Sequence, residues 1–167
     1  LPFYTPGKDR IVCHPVIRSV LIALRAAVGP MDYEDVADYL KSGIPQLERD
    51  RCDRLDCYAY LWNLFGSSWQ KDWEMHPRGF GEEWTEDDRI RLSVLNQDRI
   101  HALKPLFSLR KALCDAKNTG EMVLALYAFL EDVSLRDRLE QQANASGGQS
   151  AQELVQMYEI ICNSLEQ

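Results

Sequence analysis

Apolar residues recur every three or four positions along almost the whole of this sequence. That spacing collects them on one side of an α-helix, whereas a half-buried strand needs alternation at every second position. Ser, Thr, Asp or Asn precedes most of the apolar runs, and these residues favour helix N-termini. With 167 residues, 46% of them apolar, the chain has the size and composition of one domain with one core. We predict an all-α fold, a single irregular domain of about seven helices.

Three helices are predicted before the tryptophan-rich part of the sequence. The first begins at Pro15 and stops before Gly29, because proline suits the first helical position and glycine the position after the last. Its broad apolar side predicts that it is the central helix. Asp32 should cap the second helix, which ends at Gly43, and the third covers about residues 48–64.

A long loop is predicted from Gly66 to Trp84, where the helical period disappears. Loops of more than about 12 to 15 residues inside a compact domain are usually functional or mobile. Trp69 and Trp73 are therefore candidate interface residues, and they would serve a helical protein-interaction module. The alternative, which we favour, is that Trp69, Trp73 and Trp84 fold back over the core.

Further helices are predicted after the loop. Thr85 and Asp88 should start a long helix, which Pro105 should kink or divide. Asn118 and Thr119 compete as the cap of the next one.

The last part of the chain should hold two more helices. Ser134 begins one, residues 144–149 form a short linker-like loop, and Ser150 with Glu153 opens the final helix. The apolar positions assigned to the helices from Pro15 onward are Val16, Ile17, Val20, Leu21, Leu24, Val36, Ala37, Tyr39, Leu40, Cys52, Leu55, Tyr58 or Ala59, Trp62, Ile90, Leu95, Ile100, Leu103, Leu106, Leu109, Leu113, Met122, Leu126, Phe129 and Leu130, with Leu154, Met157, Tyr158, Ile161 and Leu165 in the last.

The charge balance limits what the chain can bind. It carries 26 acidic and 19 basic side chains, a formal net charge of −7. Phosphate binding cannot rest on that overall charge and needs a locally basic face, so an autonomous nucleic-acid-binding protein is disfavoured. Three arginines, Arg49, Arg51 and Arg54, are interleaved with aspartates and should form ion pairs within their helix.

The start of the sequence and its cysteines indicate a compartment. The chain opens at Leu1 without a basic or apolar leader, and we expect it to be cut from a longer chain. The longest apolar stretch, residues 16–28, is interrupted by arginines and falls short of the roughly 20 residues that cross a bilayer, so no membrane contact is expected. The five cysteines follow no disulfide framework, which indicates free thiols in a reducing cytoplasm.

No catalytic residue, cofactor site or metal site is predicted in this chain. The nearest match to a phosphate-binding loop, Gly79-Phe80-Gly81, is followed by glutamates that would repel an anion. Cys52 and Cys57 lie about 140° apart around a helix, so their thiols cannot converge on one metal ion.

One acidic cluster keeps a catalytic alternative open. Glu86, Asp87 and Asp88 could in principle hold Mg²⁺ for phosphodiester cleavage, as in a small metal-dependent nuclease. We favour a structural role, because carboxylates in the first turn of a helix meet the positive end of its dipole.

Five strings occur in a recognisable order: LPFY, HPVIRSVLIAL, MDYEDVADYLKSGI, LDCYAYLWNLFG and EMVLALYAFLEDVSLRDRLEQ. Their order and spacing resemble the B subunit of the AddAB (RexAB) helicase-nuclease family, and the resemblance extends over nearly the whole chain. That family has a His-Pro helix start, a Tyr-Glu-Asp-Val helix ending in Leu-Lys-Thr-Gly, and a late Tyr-x-Phe-Leu helix. This chain departs from the pattern at Ser42, where the family tends to Thr, at Ile44, where it tends to Leu, and over residues 67–84.

The resemblance implies a bacterial complex that processes double-strand breaks, built like a UvrD-type helicase with an appended nuclease domain. This segment would be the helical 2B-like insertion of the second motor domain, with its two termini near each other. The family's ATP-site motifs, Mg²⁺-dependent nuclease carboxylates and 4Fe-4S cysteines would lie outside it, so the fragment itself would hold no cofactor. The expected partners are the rest of the B subunit, the A subunit and, weakly, double-stranded DNA.

The resemblance also suggests a DNA contact. In related helicases the 2B subdomain contacts the duplex through a Gly-Ile turn at a helix start, and the counterpart here is Lys41, Ser42, Gly43 and Ile44. Backbone amides at a helix start donate to phosphates without needing net positive charge. The alternative is an ordinary helix end at Gly43. The expected function is a non-catalytic subdomain that guides duplex DNA and packs against the motor domains.

Overall fold

The structure, a computed structural model, describes residues 15–138. Its helices are α1 (Pro15–Val28), α2 (Tyr33–Lys41), α3 (Arg49–Leu61), α4 (Glu86–Asp115) and α5 (Thr119–Asp132), and residues 135–138 are again helical. A 3-10 turn, Gly66–Trp69, opens the long loop between α3 and α4. No strand occurs in this range, which confirms the all-α class. The linker predicted at residues 144–149 and the helix after it lie outside the described residues.

Two of the three predicted N-cap residues form side-chain hydrogen bonds that cap their helices. Thr85 and Asp88 form a reciprocal capping box at the start of α4. At α5 the cap is Asn118, whose side chain accepts a hydrogen bond from the Glu121 N–H at 2.9 Å. Asp32 occupies the N-cap position of α2, but its side chain makes no cap hydrogen bond, so that part of the prediction is wrong.

Pro105 does not divide α4. The helix runs unbroken for 30 residues with the proline inside it. Leu103, Leu106 and Leu109 flank the proline and are each at most 1% exposed. We attribute the continuity to this packing, which offsets the backbone hydrogen bond that proline cannot donate.

The centre of the fold is α4 rather than α1. It packs against α1, α3 and α5, because its length brings it beside all three. The prediction that α1 is central is therefore wrong, although its buried side does contact both α2 and α4. Four of the predicted apolar positions are substantially exposed: Leu21 (45%), Ile90 (55%), Ile100 (54%) and Met122 (45%). Helical spacing identifies an apolar side, but it does not determine whether another element covers that side.

Ion pairs connect helices to each other. Arg51 on α3 pairs with Asp98 on α4, a carboxylate that is 0% exposed. Lys41 at the end of α2 pairs with Asp56 on α3 at 2.6 Å. The prediction of pairs within the third helix is wrong for Arg51, because the neighbouring helices bring oppositely charged partners within reach. No helix of the described part is long and apolar enough to cross a membrane.

Candidate functional site

The turn formed by Lys41, Ser42, Gly43 and Ile44 follows the C-terminal end of α2. Its lysine charge is already matched by the carboxylate of Asp56. The Ile44 N–H donates to the Ser42 hydroxyl oxygen at 3.2 Å, and Ile44 is 1% exposed. The turn is therefore held in place by contacts within the protein.

This turn presents carbonyl groups where amides were expected. The next helix begins only at Arg49, and Gly43 has the φ of 77° typical of a glycine that ends a helix. Arg138 donates to the carbonyls of Gly43 and Ile44, the second at 2.7 Å. The helix-start geometry predicted for residues 41–44 is wrong, because the negative end of the α2 dipole lies here. A DNA contact by Lys41 stays a prediction without that support.

Trp69 and Trp73 lie in the core, 0% and 4% exposed. The Trp69 indole N–H donates to the Met31 carbonyl at 3.1 Å, and the Trp73 ring stacks on Tyr58 with centroids 4.6 Å apart. Large rings with satisfied N–H groups are well suited to a core position. The structure therefore supports the packing interpretation for Trp69 and Trp73, which leave almost no surface for a partner, whereas Trp84 remains 41% exposed.

The acidic cluster at the start of α4 is built around Asp88, which is 2% exposed. The Thr85 N–H donates to its Oδ2 at 3.1 Å, and the Arg78 guanidinium donates to both of its oxygens, at 3.1 and 3.0 Å. The Thr85 hydroxyl and backbone and the Arg78 guanidinium lower the pKa of Asp88 to about 2. Across residues 15–138 no three or more His, Cys, Asp or Glu side chains are grouped so as to hold a metal ion. The reciprocal capping box of Thr85 and Asp88 supports the structural role that we favoured for this cluster.

His76 joins this cluster, which sequence reasoning missed. It is 6% exposed, its Nδ1 accepts from the Arg78 N–H at 3.1 Å, and its Nε2 lies 3.5 Å from an Asp88 oxygen. Its ring also meets the edge of Trp84, with centroids 4.6 Å apart. The cluster attaches the long loop to α4. No spacing rule predicts it, because its members come from an irregular loop and a helix start.

An apolar groove lies between α3 and α4, with a volume of about 670 Å³. Leu61, Ile90 and Val94 line it and are 48%, 55% and 38% exposed. The remaining lining residues are Asp53, Arg54, Cys57, Tyr58, Pro77, Arg91 and Leu95. Contiguous apolar surface of this kind commonly marks a contact with another protein surface.

A second cavity, of about 630 Å³, lies beside the C-terminal half of α4, and we call it the basic cleft. It is lined by Gln70, Arg99, Ile100, Lys104, Phe107, Ser108, Arg110, Lys111 and Cys114. Four of these residues are basic and none is acidic. Sequence reasoning did not single it out, although the spacing of seven between Lys104 and Lys111 places both on one side of a helix.

No model of a protein family matches the chain. Curated B subunits of ATP-dependent helicase/deoxyribonucleases do match it. The protein of Clostridium botulinum (strain Loch Maree / Type A3) is 28% identical over 173 aligned positions, covering 100% of this chain and 15% of the relative. That of Acetivibrio thermocellus is 29% identical over 143 positions, covering 84% of this chain and 12% of the relative. That of Bacillus pumilus (strain SAFR-032) is 28% identical over 152 positions, covering 84% and 13%. The chain is homologous to part of these B subunits.

This homology confirms the family resemblance found in the five strings. The chain spans only 12–15% of the length of the B subunits compared above. What the comparisons establish for this chain is a relationship to one segment of those proteins.

Proposed function

We propose that this chain is a non-catalytic, 2B-like helical subdomain of a bacterial ATP-dependent helicase/deoxyribonuclease B subunit. It would act in double-strand break repair and recombination, guiding duplex DNA and packing against the motor domains. The observation that carries the proposal is the match to B subunits over 84–100% of the chain. ATP, Mg²⁺ and an iron-sulfur cluster would be bound elsewhere in the complete protein.

The state of the acidic residues supports a non-catalytic role. The carboxylate oxygens of Asp88 already accept hydrogen bonds from Thr85 and Arg78. Glu86 and Asp87, the other members of the cluster, are exposed on the first turn of α4. The cluster therefore stabilises the start of a helix, and its carboxylates would not converge on a metal ion.

The first experiment separates this role from a small nuclease. The 167-residue chain is incubated with labelled duplex DNA and Mg²⁺, and ATP hydrolysis is measured in parallel. We expect no cleavage and no ATPase activity. Mg²⁺-dependent cleavage that disappears in Glu86→Gln or Asp87→Asn would overturn the proposal. These two variants are chosen because neither residue is buried, so the fold is retained.

The apolar groove supports the packing part of the proposal. The relatives are several times longer than this chain, so most of a complete B subunit lies outside it and is available to cover Leu61, Ile90 and Val94. The same surface would serve the interaction module considered from the sequence, with the groove in place of Trp69 and Trp73.

The second experiment tests this packing surface. Leu61→Ser with Val94→Ser is introduced into the complete B subunit, and co-purification with the A subunit and thermal melting are measured. Met122→Ser with Leu124→Ser, both exposed on α5, is the matched control. We expect the groove variant to lower the melting temperature of the complete protein or its yield of complex more than the control. Equal behaviour of the two variants would remove the groove from the proposal.

A further inference from the structure

The basic cleft is positive in a chain whose net charge is −7. Elsewhere several cations are neutralised by nearby carboxylates: Arg25 by Asp35 and Asp38, Lys41 by Asp56, Arg51 by Asp98, and Arg78 by Asp88. Within the cleft, Arg99 pairs with Asp72, but no acidic side chain lines the cleft itself, so the charges of Lys104 and Lys111 persist there. A local field of this kind attracts anions even when the molecule as a whole is acidic.

Two of its four cations are free to bind a ligand. Arg99 donates to the Trp69 carbonyl at 2.8 Å, and Arg110 donates to the Ala27 carbonyl at 2.7 Å, so both hold the fold together. Lys104 and Lys111 are exposed, and neither forms an ion pair with any residue in the range 15–138. Their ammonium groups remain available to a ligand.

The spacing of the two lysines suits a polyanion. Lys104 and Lys111 are seven residues apart on α4, about two turns, which is about 10 Å along the helix axis. Phosphates follow one another at short, regular intervals along each DNA strand, so two cations on one side of a helix can each reach a phosphate of the same strand. The exposed Ser108 lies between the lysines and adds a hydroxyl donor. Ile100 and Phe107 add apolar surface beside the charges, which strengthens their attraction for an anion.

We propose that the basic cleft binds the phosphate backbone of duplex DNA, with Lys104 and Lys111 each contacting one phosphate of the same strand. This inference rests on the proposed function, and it moves the DNA contact away from the turn of Lys41 to Ile44. Phosphate contacts position a protein on DNA without reading its sequence. The cleft would therefore hold the duplex at any sequence.

The test measures the salt dependence of binding. Fluorescence anisotropy of a labelled duplex is recorded with the 167-residue chain and with Lys104→Ala/Lys111→Ala at several salt concentrations. Each phosphate contact contributes about 0.9 to the slope of log K against log salt, so we expect the slope of the double variant to be shallower by about 1.8 and its binding weaker. The matched control, Arg18→Ala/Arg49→Ala, removes two exposed charges that do not line the cleft. Lys104→Arg/Lys111→Arg should retain binding.

The outcomes separate this inference from the proposed function. If the original chain binds duplex DNA but the two alanine double variants behave alike, the cleft assignment is wrong and the DNA-guiding role stands. A loss of binding confined to Lys41→Ala would return the contact to the turn. If the original chain shows no binding at any salt concentration, both the cleft assignment and the DNA-guiding role are overturned. Circular dichroism of each variant shows whether its helices are retained.

Discussion

The Arg99 guanidinium donates a hydrogen bond to the backbone carbonyl of Trp69 at 2.8 Å, although Arg99 is only 2% exposed. It also pairs with Asp72 at 2.8 Å and lies 5.6 Å from the centre of the Trp73 ring. Burial lowers the pKa of Arg99, and the carboxylate of Asp72 opposes that effect. This buried cation attaches the long loop to α4, the helix at the centre of the fold.

Replacing this cation should destabilise the protein. In Arg99→Leu the Trp69 carbonyl loses a donor while it stays buried, which costs about 1–3 kcal/mol. Urea unfolding measures the change. Arg91→Leu, at an exposed position on the same helix, should change the free energy of unfolding by less than about 0.5 kcal/mol. Equal stability of the two variants would show that the contact between loop and helix contributes little.

The two interpretations of the tryptophan-rich loop predict different effects of a tryptophan substitution on the stability of the protein. Because Trp69 is fully buried, Trp69→Ala should cost about 3–5 kcal/mol and lower the melting temperature strongly. Phe80, in the same loop, is 95% exposed, and Phe80→Ala should be close to neutral. Calorimetric melting of both variants makes the comparison. A well-tolerated Trp69→Ala would revive the interface hypothesis.

The pKa of Asp88 predicts a pH dependence of stability. Its value of about 2 in the folded protein lies below the ordinary value of 3.8, so the folded state favours the ionised carboxylate. The stabilisation is present above about pH 4 and is lost as the pH falls from about 4 to about 2. Urea midpoints across this range should fall less steeply in Asp88→Asn than in the original chain. Asp87→Asn, at the exposed neighbouring position, should keep the original slope, and a flattened profile there would contradict the assignment.

Replacing Pro105 with alanine should stabilise the protein. In Pro105→Ala the backbone N–H at this position can again donate within α4, and alanine has a far higher helix propensity than proline. Since α4 is already continuous, we expect a gain of about 1–3 kcal/mol and a higher melting temperature. A lower melting temperature would mean that the packing of Leu106 and Leu109 depends on a backbone shape that proline imposes.

Local chemistry in the sequence predicted much of the fold. The period of three to four residues predicted the helices, Thr85 and Asp88 marked the start of α4, and Gly43 marked the end of α2. These signals act within a few residues of chain, so they can be read without knowing what lies nearby. Even so, Pro105, which was expected to kink or divide α4, does not divide it, because buried leucines on both sides outweigh one missing hydrogen bond.

The candidate surfaces were less predictable. The turn of Lys41 to Ile44 was offered as the counterpart of a DNA contact at a helix start, with an ordinary helix end at Gly43 as the alternative. The structure has the helix end, where carbonyls predominate. The sequence does not predict the basic cleft, because whether a lysine is paired with a carboxylate depends on residues that are near it in space. Nothing in the sequence around Lys41 and Lys111 distinguishes a paired lysine from an unpaired one. The structure distinguishes them, since only the first lies next to a carboxylate of another helix.

By itself, the sequence determined that the chain is helical, where most helices begin and end, and which family of B subunits it resembles. The helical properties follow from hydrogen bonds, caps and spacing along the chain, and the resemblance follows from the order of the five strings. Only the tertiary structure decided that α4 is the central helix, that Trp69 and Trp73 are buried, and that Ile90 and Ile100 remain exposed. It also decided which cations are paired and which are free. Burial and charge pairing depend on residues distant in sequence that meet in space, and no local pattern encodes that proximity.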